Sequence, residues 1–120
     1  MTAIHSFARV DMIGFFYREI KPISEDFDPE ALAINGLNRD ELTLRGVSPS
    51  EAMDEAFDWI QKMSNAGNPV LVAYPLSFDW TWLYWYFIRY SKRGSPFGHS
   101  PCFDLKTAVA LTNRTNHKFV

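Results

Sequence analysis

The sequence has very little cysteine: Cys102 is the one cysteine among its 120 residues. A single cysteine excludes an internal disulfide and any cysteine-rich zinc site, and it is typical of a reducing compartment. The first residues also lack a long apolar stretch behind a basic start, which would mark a signal peptide. We therefore expect a cytoplasmic protein.

The sequence also lacks an excess of positive charge. Lysine and arginine number 12 against 14 aspartates and glutamates, so the formal net charge is -2. A broad electrostatic footprint on duplex DNA or RNA usually needs a basic protein, and we do not expect one here. Contact with a strand end remains open, because a bound metal ion can supply positive charge locally.

A long apolar run is missing too, although apolar residues are plentiful. The aromatic run at residues 78–90 contains Asp79 and Arg89 and is too short to span a bilayer, so we expect no membrane association. Hydrophobic residues make up 47% of the chain and aromatic residues 16%. This composition suits one domain with a single core over residues 1–120.

The first part of the chain predicts a hairpin and two short helices. Residues 3–20 alternate at a period of two around a turn at Gly14, which is typical of two antiparallel strands. Two short helices follow, each with a polar cap before it and a glycine after it. The caps are Asp28 and Asn38, and the glycines are Gly36 and Gly46.

The second part predicts alternating helices and strands. An amphipathic helix begins at a capping box of Ser48 and Glu51 and ends before Gly67. "VLVAY", at residues 70–74, is an apolar run that suits a parallel strand buried on both faces. A helix capped by Ser77 follows and runs to near Gly94. A short strand then leads to a last helix capped by Asp104, and this order favours an α/β layered domain.

Asp79 lies where the apolar strand turns into the aromatic helix. Open α/β sheets bind ligands at the carboxyl ends of their strands, so a carboxylate at this corner suits a metal site. An acid in the first turn of a helix is also favoured by capping and by the helix dipole alone. From the residues alone, both interpretations stay open.

Two stretches resemble the DEDD-type 3′–5′ exonucleases, the proofreading-exonuclease family with an RNase H-like fold. "INGLNRDEL", at residues 34–42, is similar to a family segment of the form I-[HNS]-G-[IL]-[ST]-x-E-x-L. After a helix and an apolar strand, Phe78, Asp79, Trp82 and Leu83 match the family motif F-D-x-x-[FW]-[LM], whose aspartate is a metal-site acid. The resemblance covers roughly residues 15–111.

The resemblance implies hydrolysis of nucleotides from the 3′ end of single-stranded DNA or RNA, with two Mg²⁺ or Mn²⁺ ions held by several carboxylates. It implies Asp79 as the catalytic and metal-binding residue. It also implies Asn35, Gly36 and Phe78 as residues that contact the 3′-terminal nucleotide. The implied fold is a three-layer α/β domain with a mixed sheet flanked by helices.

The sequence departs from the family pattern at its other acidic motifs. The first motif, D-x-E on the opening strand, is absent from the first 25 residues, and no acid follows His117 where the third motif is expected. We therefore expect a domain that lacks the first central strand and the C-terminal helix. Because one carboxylate cannot anchor two divalent ions against hydration, we also expect this chain to be inactive by itself.

Two alternatives stay open beside that hypothesis. The chain is either a non-catalytic binding module or a fragment of a longer active exonuclease. Aromatic residues surround nearly the whole helix at 78–90, and a missing central strand would leave neighbouring strands unpaired. Both features predict a homo-oligomer, although stacking of nucleobases is the alternative role for the aromatic helix.

Overall fold

The computed structural model describes residues 3–7, 14–65 and 67–113 of the chain, and side chains from residue 14 onward. It shows a mixed α/β domain with short strands and five helices within these ranges. The elements are β1 (Ala3–Phe7), β2 (Phe15–Glu19), α1 (Pro29–Asn35), α2 (Arg39–Arg45), α3 (Pro49–Met63), β3 (Leu71–Ala73), α4 (Ser77–Tyr90), β4 (Cys102–Asp104) and α5 (Leu105–Asn113). The predicted order of elements is confirmed, while residues 8–13 of the hairpin lie outside the described residues.

The described strands form two separate pairs. β1 and β2 are antiparallel, with Ala3 opposite Glu19 and Phe7 opposite Phe15. β3 and β4 are parallel, with Leu71 opposite Cys102 and Ala73 opposite Asp104. An isolated parallel bridge joins Ile20 to Val47 beyond the end of β2. The parallel sheet is therefore confirmed, and it is small.

The two short helices begin and end as their sequences predict. The Asp28 side chain accepts hydrogen bonds from the backbone N–H groups of Glu30 and Ala31, and that of Asn38 accepts one from Glu41. Gly36 ends α1 in the left-handed conformation at φ 70°. Such a conformation strains any residue that carries a Cβ, which explains glycine at this position.

Helix α3 joins the parts of the domain through its apolar face. Ala52, Met53 and Ala56 are fully or almost fully buried against β2 and α4, as the amphipathic pattern predicts. The Arg18 guanidinium on β2 donates to the Glu55 carboxylate at 2.6 Å. This polar contact fixes the rim of the interface, and the apolar face supplies most of its stability.

Helix α4 closes the core from the other side. Phe87 is fully buried, Tyr86 is nearly so, and the ring centroids of Phe57 and Phe87 lie 6.5 Å apart with the rings nearly perpendicular. Asp54 on α3 accepts hydrogen bonds from the Ser91 hydroxyl and the Lys92 backbone N–H at the end of α4. These contacts hold α3 and α4 together along their length.

Three local predictions are wrong. Val70, Val72 and Tyr74 are more than half exposed, so the strand at residues 70–74 is not buried on both faces. Helix α4 has Leu76 as its N-cap residue and no side-chain cap, so Ser77 is the first helical residue and not the cap. It ends at Tyr90, four residues before Gly94, because Ser91 adopts an extended conformation.

Candidate functional site

The corner between β3 and α4 is built by a tight change of backbone direction. β3 ends at Ala73, the peptide bond between Tyr74 and Pro75 is cis, and α4 begins at Ser77. The buried Leu76 side chain anchors the corner, and its carbonyl accepts the first helical hydrogen bond from Trp80 N–H at 2.8 Å. The corner therefore presents the first turn of α4 at the carboxyl end of β3.

Asp79 lies in that first turn, and it is exposed. A carboxylate in the first turn of a helix interacts favourably with the positive end of the helix dipole. Within the described residues, no group of three or more His, Cys, Asp or Glu side chains is arranged to hold a metal ion. Asp79 therefore occupies a position that suits a metal ligand, but the described residues place no group of acids around it that would complete a metal centre.

Asp104, at the end of β4, serves a structural purpose beside the same corner. Its carboxylate accepts hydrogen bonds from the Thr107 hydroxyl at 2.7 Å and from the Lys106 backbone N–H at 3.2 Å. The pKa of Asp104 is lowered below its ordinary value, mainly by the hydrogen bond from the Thr107 hydroxyl. The backbone N–H groups of Lys106, Leu76 and Thr107 lower it further. Asp104 therefore caps α5 as predicted.

The contact between Asp104 and Leu76 is a feature that sequence reasoning missed. The Leu76 backbone N–H group lies close enough to Asp104 to lower its pKa, and the two positions are 28 residues apart along the chain. Because the partner is a backbone N–H group, no side-chain pattern marks this contact.

The predicted substrate-binding residues fall into two groups. Phe78 is next to Asp79 in the first turn of α4, and it is 73% exposed. Asn35 and Gly36 end α1, where the Asn35 side-chain oxygen accepts a hydrogen bond from Leu37 N–H at 2.9 Å. Helices α1 and α4 are not a closely packed pair. Phe78 and Asp79 are therefore neighbours in one helix turn, whereas Asn35 and Gly36 lie at the end of a helix that does not pack closely on α4.

The donor set in the described residues does not fit a two-ion centre. Mg²⁺ and Mn²⁺ prefer carboxylate oxygens, and two adjacent ions need several of them. Asp79 offers one carboxylate, and Asp104 already accepts the hydrogen bonds that cap α5. His117, near the place where a third acidic motif is expected, lies outside the described residues.

An open groove runs along one side of α4. It encloses about 470 Å³ and is lined by Trp80, Thr81, Trp82, Tyr84, Trp85 and Ile88. Trp82 and Trp85 are 50% and 43% exposed, although tryptophan is mostly buried in folded domains. The predicted second aromatic face of the helix is therefore present, and in the described residues it is open to solvent.

Comparison with known proteins points to nucleases. No family model matches the chain. It is 38% identical over 89 residues to "3'-5' DNA exonuclease Cap18" of Escherichia coli. The aligned region covers 73% of this chain and 46% of that protein. It is 31% identical over 90 residues to "Ribonuclease T" of Shewanella denitrificans. This aligned region covers 72% of this chain and 40% of that protein.

The chain spans less than half the length of both curated relatives. One name states a 3′–5′ DNA exonuclease and the other a ribonuclease, and the matches support a relationship to exonucleases. No helix among the described residues combines the length and the apolar character that a bilayer span requires.

Proposed function

We propose that this chain is an exonuclease-like domain that binds the 3′ end of a single nucleic-acid strand. Its ancestry is the DEDD-type 3′–5′ exonucleases, which cleave by two-metal-ion phosphodiester hydrolysis. The observation that carries the proposal is the 38% identity over 89 residues to a 3′–5′ DNA exonuclease. The position of Asp79, exposed in the first turn of α4 after a parallel strand, supports it.

Asp79 is the residue proposed to face a divalent ion. Bound Mg²⁺ or Mn²⁺ would stabilise the charge on the attacking and leaving oxygens of the phosphodiester. Because no group of three or more His, Cys, Asp or Glu side chains in the described residues is arranged to hold a metal ion, the chain by itself is proposed to be inactive. Acids from another chain, or from a longer parent protein, would have to complete the centre.

Phe78, Asn35 and Gly36 are proposed to contact the terminal nucleotide. The exposed ring of Phe78 next to Asp79 is available for stacking on a base. A Cβ added at Gly36 would meet no atom within 4 Å, so glycine there leaves open space beside the end of α1. Since α1 and α4 do not pack closely, simultaneous contact requires the nucleotide to bridge them.

The fold is proposed to be a three-layer RNase H-like domain over residues 1–120 that lacks its first central strand and its C-terminal helix. The core cluster contains Phe16 of β2 and Ile20, which directly follows β2, and Leu71 of β3 packs against it. The two strands nevertheless belong to separate sheets. A strand placed between them would join the two pairs into one mixed sheet.

A homo-oligomer is proposed for the same physical reason. Among the described strands, β3 has β4 as its one hydrogen-bonded neighbour, and residues 71–73 contain no charge and no proline that would discourage a further strand. A second copy that adds a strand to β3 would pair this edge and cover the exposed Val72 side chain.

A non-catalytic binding module is the second candidate function, and the open aromatic groove on α4 favours it. A fragment of a longer active exonuclease is the third, because the chain spans less than half of its curated relatives.

Residence in the cytoplasm is proposed because the one cysteine, Cys102, is free and exposed.

Binding to strand ends tests the proposed function. A fluorescent 12-nucleotide single-stranded DNA is bound in the presence of EDTA, so that no cleavage interferes, and unlabelled linear or circular DNA of one sequence competes with it. We expect linear DNA to compete more strongly, because a circle has no 3′ end. Equal competition by the two forms would overturn the proposal.

A further inference from the structure

Positive charge lies beside the aromatic groove on α4. Arg89 follows Trp82 by seven positions and Trp85 by four, so all three lie on one side of the helix. Arg89 is exposed, and within the described residues no carboxylate forms an ion pair with it. The exposed Lys92 follows just beyond the end of the helix.

The acid of α4 lies in the first turn of the helix, where it is exposed three positions before Trp82. Asp79 shares a row, at spacings of four, seven and eleven residues, with Leu83, Tyr86 and Tyr90, which pack on the core. Beyond Asp79, from Trp80 to Tyr90, α4 therefore carries Arg89 and no further acid.

This charge pattern favours a nucleic-acid strand over a second copy of the chain. Two copies that pair through the residues between Trp80 and Tyr90 would bury Arg89 from both. These residues include no acid that could pair with it, so the burial costs desolvation energy. A single nucleic-acid strand offers flat bases to the tryptophans and phosphates to the cations. A duplex hides its base faces, and the chain's net charge of -2 does not suit binding through phosphates alone.

We propose that the groove on α4 is a stacking surface for the bases of a single strand, with Trp82 and Trp85 as the stacking residues and Arg89 as the phosphate contact. The proposal rests on the proposed function, because it assigns the path of the strand whose 3′ end lies near Asp79. The first turn of α4 holds Asp79, and Trp85 is six residues further on, or about 9 Å along the helix axis at ~1.5 Å per residue.

Affinity for single-stranded DNA tests the stacking residues. A labelled 12-nucleotide oligothymidylate is titrated with the wild-type chain and with Trp82→Ala and Trp85→Ala, all in EDTA, while circular dichroism checks the fold. Loss of one stacked base weakens binding between about 5-fold and 150-fold. Trp82→Phe keeps a stacking ring and is expected to restore most of the affinity.

Two controls separate stacking from general surface effects. Phe27→Ala removes another half-exposed aromatic ring, on a segment outside the groove, and leaves the affinity unchanged. An abasic oligomer with the same phosphates binds wild-type and Trp82→Ala equally, because it offers no base to stack. Arg89→Ala lowers the slope of log affinity against log salt by about 0.7, the value for one phosphate of a single strand.

Unchanged oligothymidylate affinity in both Trp82→Ala and Trp85→Ala would overturn the proposal. So would a wild-type dimer that Trp82→Ala converts to a monomer, measured by light scattering, because a second copy would then occupy the groove. Failure of the proposed function is distinguishable. If linear and circular DNA compete equally while the affinity still depends on Trp82, the proposed 3′-end binding is wrong and the proposed stacking surface on α4 still holds.

Discussion

Asp79 is stabilised by its place in the first turn of α4, whatever else it binds. A carboxylate there interacts with the positive end of the helix dipole, and α4 has no side-chain cap that would substitute for it. We expect Asp79→Asn to lower the free energy of unfolding by about 0.3–1 kcal/mol, measured by urea denaturation. A gain in stability would instead indicate that the carboxylate is held in an unfavourable environment, as in a metal site without its ion.

Asp104 predicts a dependence of stability on pH. Hydrogen bonds from the Thr107 hydroxyl and nearby backbone N–H groups lower its pKa below the ordinary value of 3.8, so the folded chain binds this proton less tightly than the unfolded chain. The stabilisation is therefore complete above pH 3.8 and is lost as the pH falls through the lower, folded value.

The variant Asp104→Asn isolates that contribution. We expect its melting temperature to lie below that of the wild type at neutral pH, and the difference to shrink as the pH falls below 3.8. Thermal melts at several pH values measure the difference. A difference that stays constant from neutral to acidic pH would show that the charge of Asp104 does not contribute.

At the scale of elements, α3 is the centre of the core. Met53 is fully buried between β2 and α4, so Met53→Ala leaves a cavity there and lowers the free energy of unfolding by about 2–5 kcal/mol. Leu44→Ala is the matched control, because Leu44 is 79% exposed, and we expect a change within about 0.5 kcal/mol. Similar effects of the two substitutions on urea denaturation would contradict this core.

The elements predicted best were those with local signals. Asp28, Asn38 and Ser48 each accept a backbone hydrogen bond at the start of a helix, as their sequences predict. The predicted burial of β3 on both faces failed because it depends on neighbours that the run itself does not encode: Val72 is 53% exposed. Helix α4 begins without its predicted cap because Ser77 is already helical and the N-cap position belongs to Leu76, whose side chain cannot accept a hydrogen bond.

The candidate site was predictable in part for the same reason. Asp79 and Phe78 are adjacent in one helix turn, so their proximity follows from the sequence alone. The distance between that turn and Asn35 depends on how α1 packs, and α1 has no buried residue that would fix its position. The charge pattern of the groove on α4 also needed the structure, which shows Trp82 and Trp85 half exposed on one side of the helix.

For the whole molecule, the open edge of β3 predicts self-association. We expect light scattering to give the mass of a dimer, against 13.9 kDa for one chain. Val72→Lys places a charge on the exposed β3 strand and is expected to give a monomer with an unchanged circular dichroism spectrum. Leu44→Lys is the control on exposed α2 and leaves the dimer intact. A wild-type monomer at high concentration would contradict the proposal.

The measurement that tests the central claim most directly is a degradation assay on a 5′-labelled single-stranded oligonucleotide with Mn²⁺. The wild-type chain and Asp79→Asn are compared side by side at equal concentration. The account predicts no ladder of shortened products from either protein, because the described residues contain no group of three or more His, Cys, Asp or Glu side chains that could hold a metal ion. A 3′-to-5′ ladder from the wild type that disappears in Asp79→Asn would contradict that claim and would show that a complete metal centre forms.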